Sequence, residues 1–167
     1  MDNAHGSHNE PMPAARDLVP ALQDVWYRYA LSVLRDEDQA MEAAQETALR
    51  VIKRLPHFDG RSTLRTWTLG ITVNVCREIR RRRRWWPLAS DERTTHDTDR
   101  LIQIEDRQQL HALIRQLPDR QREAVVLRFF EHLSTRETAE AMGCQPGTVK
   151  AAIHQAIGQM RTKWGDA

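Results

Sequence analysis

The 167-residue chain has little cysteine: Cys76 and Cys144 are too few for a disulfide framework or a structural zinc site. Each falls inside a predicted helical stretch, which marks both as small buried hydrophobes, with redox sensing as the alternative. No apolar run approaches the length that crosses a bilayer, and no secretory signal precedes the first predicted helix. These absences predict a protein of the reduced cytoplasm, without membrane insertion. There is no Gly-rich phosphate loop, no nucleophile elbow and no metal-ligand spacing, so no catalytic residue, cofactor or metal is expected and the chain is not read as an enzyme. His5 and His8, in a start without periodicity, are weak as a metal site. There is no internal repeat.

Net charge is only +2, so bulk charge does not announce nucleic acid. Its distribution does. Residues 18–86 carry a net +5 and 105–167 a net +1, while 1–17 and 87–104 are each −2. The excess is focused in the run Arg80–Arg84, with Arg77 one turn earlier. Such a run is a phosphate-binding footprint. The alternative is a solvated helix end whose arginines complement the helix dipole.

Apolar periodicity predicts an all-α protein in two helical domains. Residues 1–17 read as a disordered tail. Leu22, Val25, Trp26, Tyr29 and Val33 predict a helix from Leu18 to Arg35. Asp36 can cap a second helix running to about Leu55, with Ala40, Ala43, Ala44, Ala48 and Val51 inward and Glu42, Gln45, Glu46 and Arg50 outward. The loop 56–63 contains Pro and Gly, and Ser62 or Thr63 can cap a third helix from Leu64 to Arg84. Its stripe is Leu64, Trp67, Ile71, Val75 and Ile79, with a strand over Thr66–Val75 as the competing assignment because of its β-branched residues. On that stripe Trp67 reads as core before stacking platform. The polar, acidic stretch 87–104 is too long for an internal loop and reads as a flexible linker between domains 18–86 and 105–167. Helices are predicted next over about Ile104–Leu117 and Arg120–Glu131, the second with Val125, Val126, Phe129 and Phe130 facing inward.

The chain is punctuated most clearly near its end. Ser134 and Glu137 have capping-box spacing, Gly143 can end a helix in the left-handed conformation, and Pro146 suits the first turn of the next. Leu133, Ala139 and Met142 line one helix; Val149, Ile153, Ala156, Ile157 and Met160 line the other. Lys150, Ala151, His154 and Gln155 fall off that stripe. This is the layout of a helix-turn-helix, whose second helix enters the DNA major groove. A helical hairpin used only for packing is the plainer alternative.

The whole order resembles the extracytoplasmic-function (ECF) sigma factors of bacterial RNA polymerase, of the sigma-70-like family. The shared features are the acid-capped helix with Gln45-Glu46, the Phe58-Asp-Gly loop, the Trp67 helix ending in arginines, the linker, Leu117-Pro118, Arg128-Phe-Phe-Glu131 and the helix-turn-helix. The resemblance implies a two-domain protein that binds core polymerase, recognises a promoter and assists strand opening. It places polymerase docking on Glu42, Gln45 and Glu46. It places reading of the minus-ten element on the loop Asp59, Gly60, Arg61, Ser62, Thr63 and on Asn74, with Arg77, Arg80 and Arg81 on backbone phosphates; Glu78 sits among these as a lone carboxylate. It places the minus-thirty-five element against Thr148, Lys150, Ala151, His154 and Gln155. This last set is poor in base-reading Arg, so DNA shape, backbone N–H groups and Lys150 carry more of the reading. The implied partners are core RNA polymerase and promoter DNA, with an anti-sigma factor left open. An ordinary repressor domain would share only the helix-turn-helix. A polymerase-binding regulator that had lost promoter reading would share the rest.

Overall fold

The computed structural model describes residues 14–85 and 105–165. The chain 87–104, expected to be a linker, and most of the expected tail lie outside them. All regular structure among the described residues is helical: α1 Ala15–Leu34, α2 Glu37–Arg54, a one-turn 3-10 helix Leu55–His57, α3 Leu64–Trp85, α4 Glu105–Arg115, α5 Asp119–Val125, α6 Thr135–Met142 and α7 Pro146–Gly165. The strand alternative for Thr66–Val75 falls away.

Helix α1 starts inside the expected tail. Asp17 in its first turn suits the dipole, and the Ala14 carbonyl accepts from the N–H groups of Asp17 and Leu18 at 2.9 and 3.1 Å. Arg35 ends α1 at φ 62°, a left-handed conformation unusual for a side chain of this size. The Asp36 carboxylate then accepts from Gln39 N–H at 2.9 Å and opens α2. Trp26, Tyr29 and Val33 of α1 are buried, as are Ala40, Ala43, Ala44 and Val51 of α2. The alanines are small enough to let α1, with its large aromatics, lie close.

Thr63 is the cap of α3, its hydroxyl accepting from Thr66 N–H at 3.1 Å. The predicted stripe Ile71, Val75 and Ile79 is buried, but so are Thr66, Leu69, Thr72, Val73 and Cys76. A single stripe cannot account for this; α3 is covered on two sides. Helices α1 and α2 lie on one side and α6 on the other. Gly70 sits at that second contact, where a Cβ would stand 3.5 Å from the Ala141 backbone. Trp67 is half-buried and packs against Phe58, ring centroids 5.0 Å apart, which fits its reading as core.

The helix after Pro118 departs from expectation. Its regular part ends at Val125, and Val126–Phe130 form a wider π turn, with Glu131 N–H donating to the Val126 carbonyl at 3.0 Å. An extra residue in the turn rotates the side chains beyond it by about 100°. Val125, Val126 and Leu127 therefore fill the core, while Phe129 and Phe130, expected inside, are exposed. Phe130 meets the His111 ring at 5.7 Å and Arg128 lies over Phe129.

The expected two helical halves are both present, α1 to α3 and α4 to α7. In this structure they pack into one continuous core. The seam between them combines this apolar contact with polar links. Arg122, with its guanidinium inside, donates to the carbonyls of Leu117, Arg115 and Ile114 at 2.6, 2.9 and 3.3 Å, and to Val33 of α1 at 3.2 Å. Burial pulls its pKa below the ordinary arginine value, with Arg35 nearby adding to the effect.

Candidate nucleic-acid and partner interface

Three surfaces carry the residues singled out in the sequence. The first is the outer face of α2. Glu42 and Gln45 are exposed and Glu46 is half-exposed. The two carboxylates are not a free acidic patch. Glu46 accepts from Arg50 at 2.7 Å, and Glu42 accepts from Arg82 at 2.5 Å. Beside Gln45 the sequence reading missed an apolar row: Met41, Leu49 and Ile52 are 46%, 64% and 48% exposed. Their offsets of eight and eleven residues put them on one side of the helix, opposite the buried alanines. That periodic signal was available in the sequence. An exposed apolar row rimmed by charge has the make-up of surfaces on which partners dock.

The second surface is the α3 flank with its preceding loop. Asp59, Gly60, Arg61 and Thr63 are exposed. The loop is held by Asp59, whose carboxylate accepts from Arg61 N–H at 3.2 Å and faces Arg61 Nε at 3.1 Å. Gly60 turns it at φ +71°, a conformation cheap only for glycine. Asn74 is exposed as expected, and the loop does not line the cavity beside it. Eleven residues of helix separate it from Thr63, about 16 Å of rise. Its neighbours are Arg50, Arg54, Arg77, Glu78 and Arg81, which line a basic cavity of about 440 Å³ between α2 and α3. The floor of this cavity is braced: Arg50 grips Glu78 with two parallel bonds. Hydrogen bonding from Arg50 holds the Glu78 carboxyl below the usual carboxylate range.

Not all the arginines of α3 are free. Arg81 is exposed and lines both this cavity and a second, of about 720 Å³, formed with Arg77, Arg80, Arg84, Trp85 and Asp119. Arg77 and Arg80, expected on phosphates, are instead committed in this conformation. Both donate to the Glu123 carboxylate, Arg77 through Nη2 at 2.7 Å. Burial pulls the Arg80 pKa down, but Glu123 and Asp119 more than offset this and hold it above the ordinary value.

The third surface is the helix-turn-helix. The capping box is complete: Glu137 N–H donates to Ser134 Oγ at 3.2 Å, and Ser134 N–H donates to Glu137 Oε2 at 2.8 Å. Those bonds from Ser134 keep the Glu137 carboxyl below its ordinary value. Gly143 ends α6 at φ +64°, and Pro146 opens α7. Val149 and Ala156 are buried, Ile153, Ile157 and Met160 partly so, and Thr148, Lys150, Ala151, His154 and Gln155 are exposed along one side of α7. Gln155 accepts from Gln121 at 3.3 Å, which steadies it against α5.

Cys76 is buried, and burial pushes its thiol up to about 12, away from the thiolate form that a redox-reactive cysteine needs. Among the described residues no group of three or more His, Cys, Asp or Glu could hold a metal, and no helix is long and apolar enough to cross a membrane.

Residues 18–86 match the family model "Sigma-70 region 2", and residues 107–160 match "Sigma-70, region 4". The chain is 34% identical over 138 residues to the ECF RNA polymerase sigma factor SigC of Mycobacterium tuberculosis, covering 80% of this chain and 74% of that protein. It is 27% identical over 146 residues to the RNA polymerase sigma factor SigV of Bacillus subtilis, covering 81% and 82%. Its fold is similar to that of the sigma factor RpoE of Bartonella quintana, solved in complex with the anti-sigma factor NepR: TM-score 0.75, 21% identity, 88% of this chain and 94% of that one. A second similar structure is CnrH in complex with the cytosolic domain of CnrY, TM-score 0.68, 20% identity, covering 91% and 88%.

Proposed function

Since this chain belongs to the ECF sigma factors of the sigma-70 family, we propose that its three exposed surfaces divide the work of transcription initiation among them. As a sigma factor it binds core RNA polymerase and recognises promoter DNA. The outer face of α2 docks on the polymerase, with Glu42, Gln45 and Glu46 as its polar rim and Met41, Leu49 and Ile52 as its apolar centre. Charge would then set orientation and apolar burial would set affinity.

The minus-ten element is read on α3 as opened strand. Asn74, in its basic cavity, can hydrogen-bond a base edge, and Arg54 and Arg81 beside it can hold the flanking phosphates. The loop Asp59–Thr63 meets the strand farther along. The minus-thirty-five element is read as closed duplex by α7, where Thr148 and Lys150 meet the backbone and Ala151, His154 and Gln155 face the groove. The domains are 18–86 and 105–167. The protein acts in the cytoplasm, takes no catalytic step of its own and is controlled by an anti-sigma partner; relatives of the same fold were solved bound to such proteins.

The observation that best supports this reading is the coincidence of a fully capped helix-turn-helix with a separate basic cavity around an exposed amide. The test is to add the protein to core polymerase and map transcript starts across a genome. One shared two-part motif upstream of the starts is expected. Polymerase binding without such a set would overturn promoter recognition.

A further inference from the structure

Trp85, the last residue of α3, is 81% exposed, the most exposed large apolar side chain among the described residues. An indole left in water at a helix end gains nothing from the core, and its flat faces are open to another ring. Asn74, Glu78, Arg81 and Trp85 follow one another at steps of four, three and four residues, so they share one face of the helix. From Asn74 to Trp85 that face rises about 16 Å.

The surface along this face is continuous. The cavity beside Asn74 and the larger one beside Trp85 share Arg77 and Arg81, so they adjoin. Carboxylates engage Arg77, Arg80 and Arg82, whereas Arg81 and Arg84 are exposed, one turn and one residue before the indole. Two acids lie close by, and each is met by an arginine: Glu78 by Arg50 through two hydrogen bonds, and Asp119 by Arg80 at 3.1 Å. Guanidinium groups around an exposed aromatic ring are the make-up of a single-strand site, where cations hold phosphates and the ring stacks a base of any identity. A paired base inside a duplex has no free face to offer, so the ring suits unpaired strand. A stacked strand advances about 3.4 Å per nucleotide, so the rise from Asn74 to Trp85 matches about five nucleotides.

We propose that Trp85 is a base-stacking platform for unpaired strand at the end of the α3 groove, about five stacked nucleotides from the base read by Asn74. It adds grip on the opened strand without adding sequence preference. The platform rests on the proposed reading of α3 as the surface that holds opened DNA.

The test uses the full chain and two labelled strands of equal length: oligothymidine, and an abasic counterpart that keeps the sugar-phosphate backbone and lacks the bases. Trp85→Ala should weaken oligothymidine binding roughly tenfold and leave abasic binding unchanged. Trp85→Phe keeps a ring and should retain most of the affinity. Arg81→Ala should weaken both strands by the same factor and lower the salt slope of each by about 0.7. Because Trp85 is exposed, its variants should unfold in urea at the wild-type midpoint. Equal oligothymidine binding by Trp85→Ala and the wild type overturns the platform; weaker binding of that variant to core polymerase would then assign the indole to a protein partner. An equal loss on the two strands also overturns it, since the ring would be acting without a base. If Arg81→Ala is silent on both strands as well, the reading of α3 as the strand surface fails too. If Arg81→Ala keeps its effect, that reading stands without the platform.

Discussion

Arg50 of α2 and Glu78 of α3 are joined by two parallel hydrogen bonds, 2.8 and 2.7 Å, across the floor of the cavity that holds Asn74. In the sequence Glu78 is a carboxylate stranded among arginines. In the fold it is the strut that fixes the distance between two helices, and it keeps the cavity from being uniformly positive. Because Arg50 holds the Glu78 carboxyl below its ordinary value, the pair contributes stability above the unfolded carboxylate value of 4.5. That contribution is lost as pH falls through the lower folded value. The expected outcome is a thermal midpoint that drops on acidification below about pH 4.5 in the wild type and drops less steeply in Glu78→Gln. An identical acid limb in both proteins would remove Glu78 from the account.

Leu49 is the most exposed of the apolar residues on the outer face of α2. Leu49→Asp should weaken core polymerase binding by about 1.5–3 kcal/mol, the worth of burying one such side chain. The free protein should keep its unfolding midpoint, since nothing inside is disturbed. Competition binding against the wild type measures the first, and urea unfolding the second. Unchanged competition would move the docking face elsewhere.

Lys150 and Asn74 should separate closed from open promoter. Lys150→Ala removes one cation, so the salt slope of holoenzyme binding to duplex promoter should fall by about one. Asn74→Ala should leave upstream duplex binding intact and lower open-complex formation by about 1–3 kcal/mol. A pre-melted template should not rescue it fully, because the lost contact is to the base itself. Both effects are read from holoenzyme footprints across a salt series.

The helix-turn-helix depends on its two ends. Ser134→Ala removes a capping-box acceptor and should cost about 1 kcal/mol. Gly143→Ala meets no neighbouring atom, but at φ +64° it should still cost about 1 kcal/mol from backbone strain alone. In urea each variant should lower the midpoint without changing the slope. A silent Gly143→Ala would mean that α6 can end in another way.

The local punctuation of this chain was written in its sequence. Asp36, Thr63, Ser134, Glu137, Gly143 and Pro146 act on backbone groups within a few residues, so their roles depend on spacing alone. The helix periods and the exposed side of α7 obey the same short-range logic, and so does the apolar row Met41, Leu49 and Ile52, which was legible although not read. What the sequence could not decide is which charges meet. Arg77 and Arg80 read identically as a phosphate row or as partners of a buried carboxylate. Their partner Glu123 lies 46 and 43 residues away, and an ion pair leaves no periodic trace in either segment. The turn-out of Phe129 and Phe130 was equally hidden, because a single π turn resets helix phase without any residue that announces it. Only the packing of α5 and α6 against α1 and α3 decided both, since burial, and with it the need to pair a charge, is a property of the assembled core.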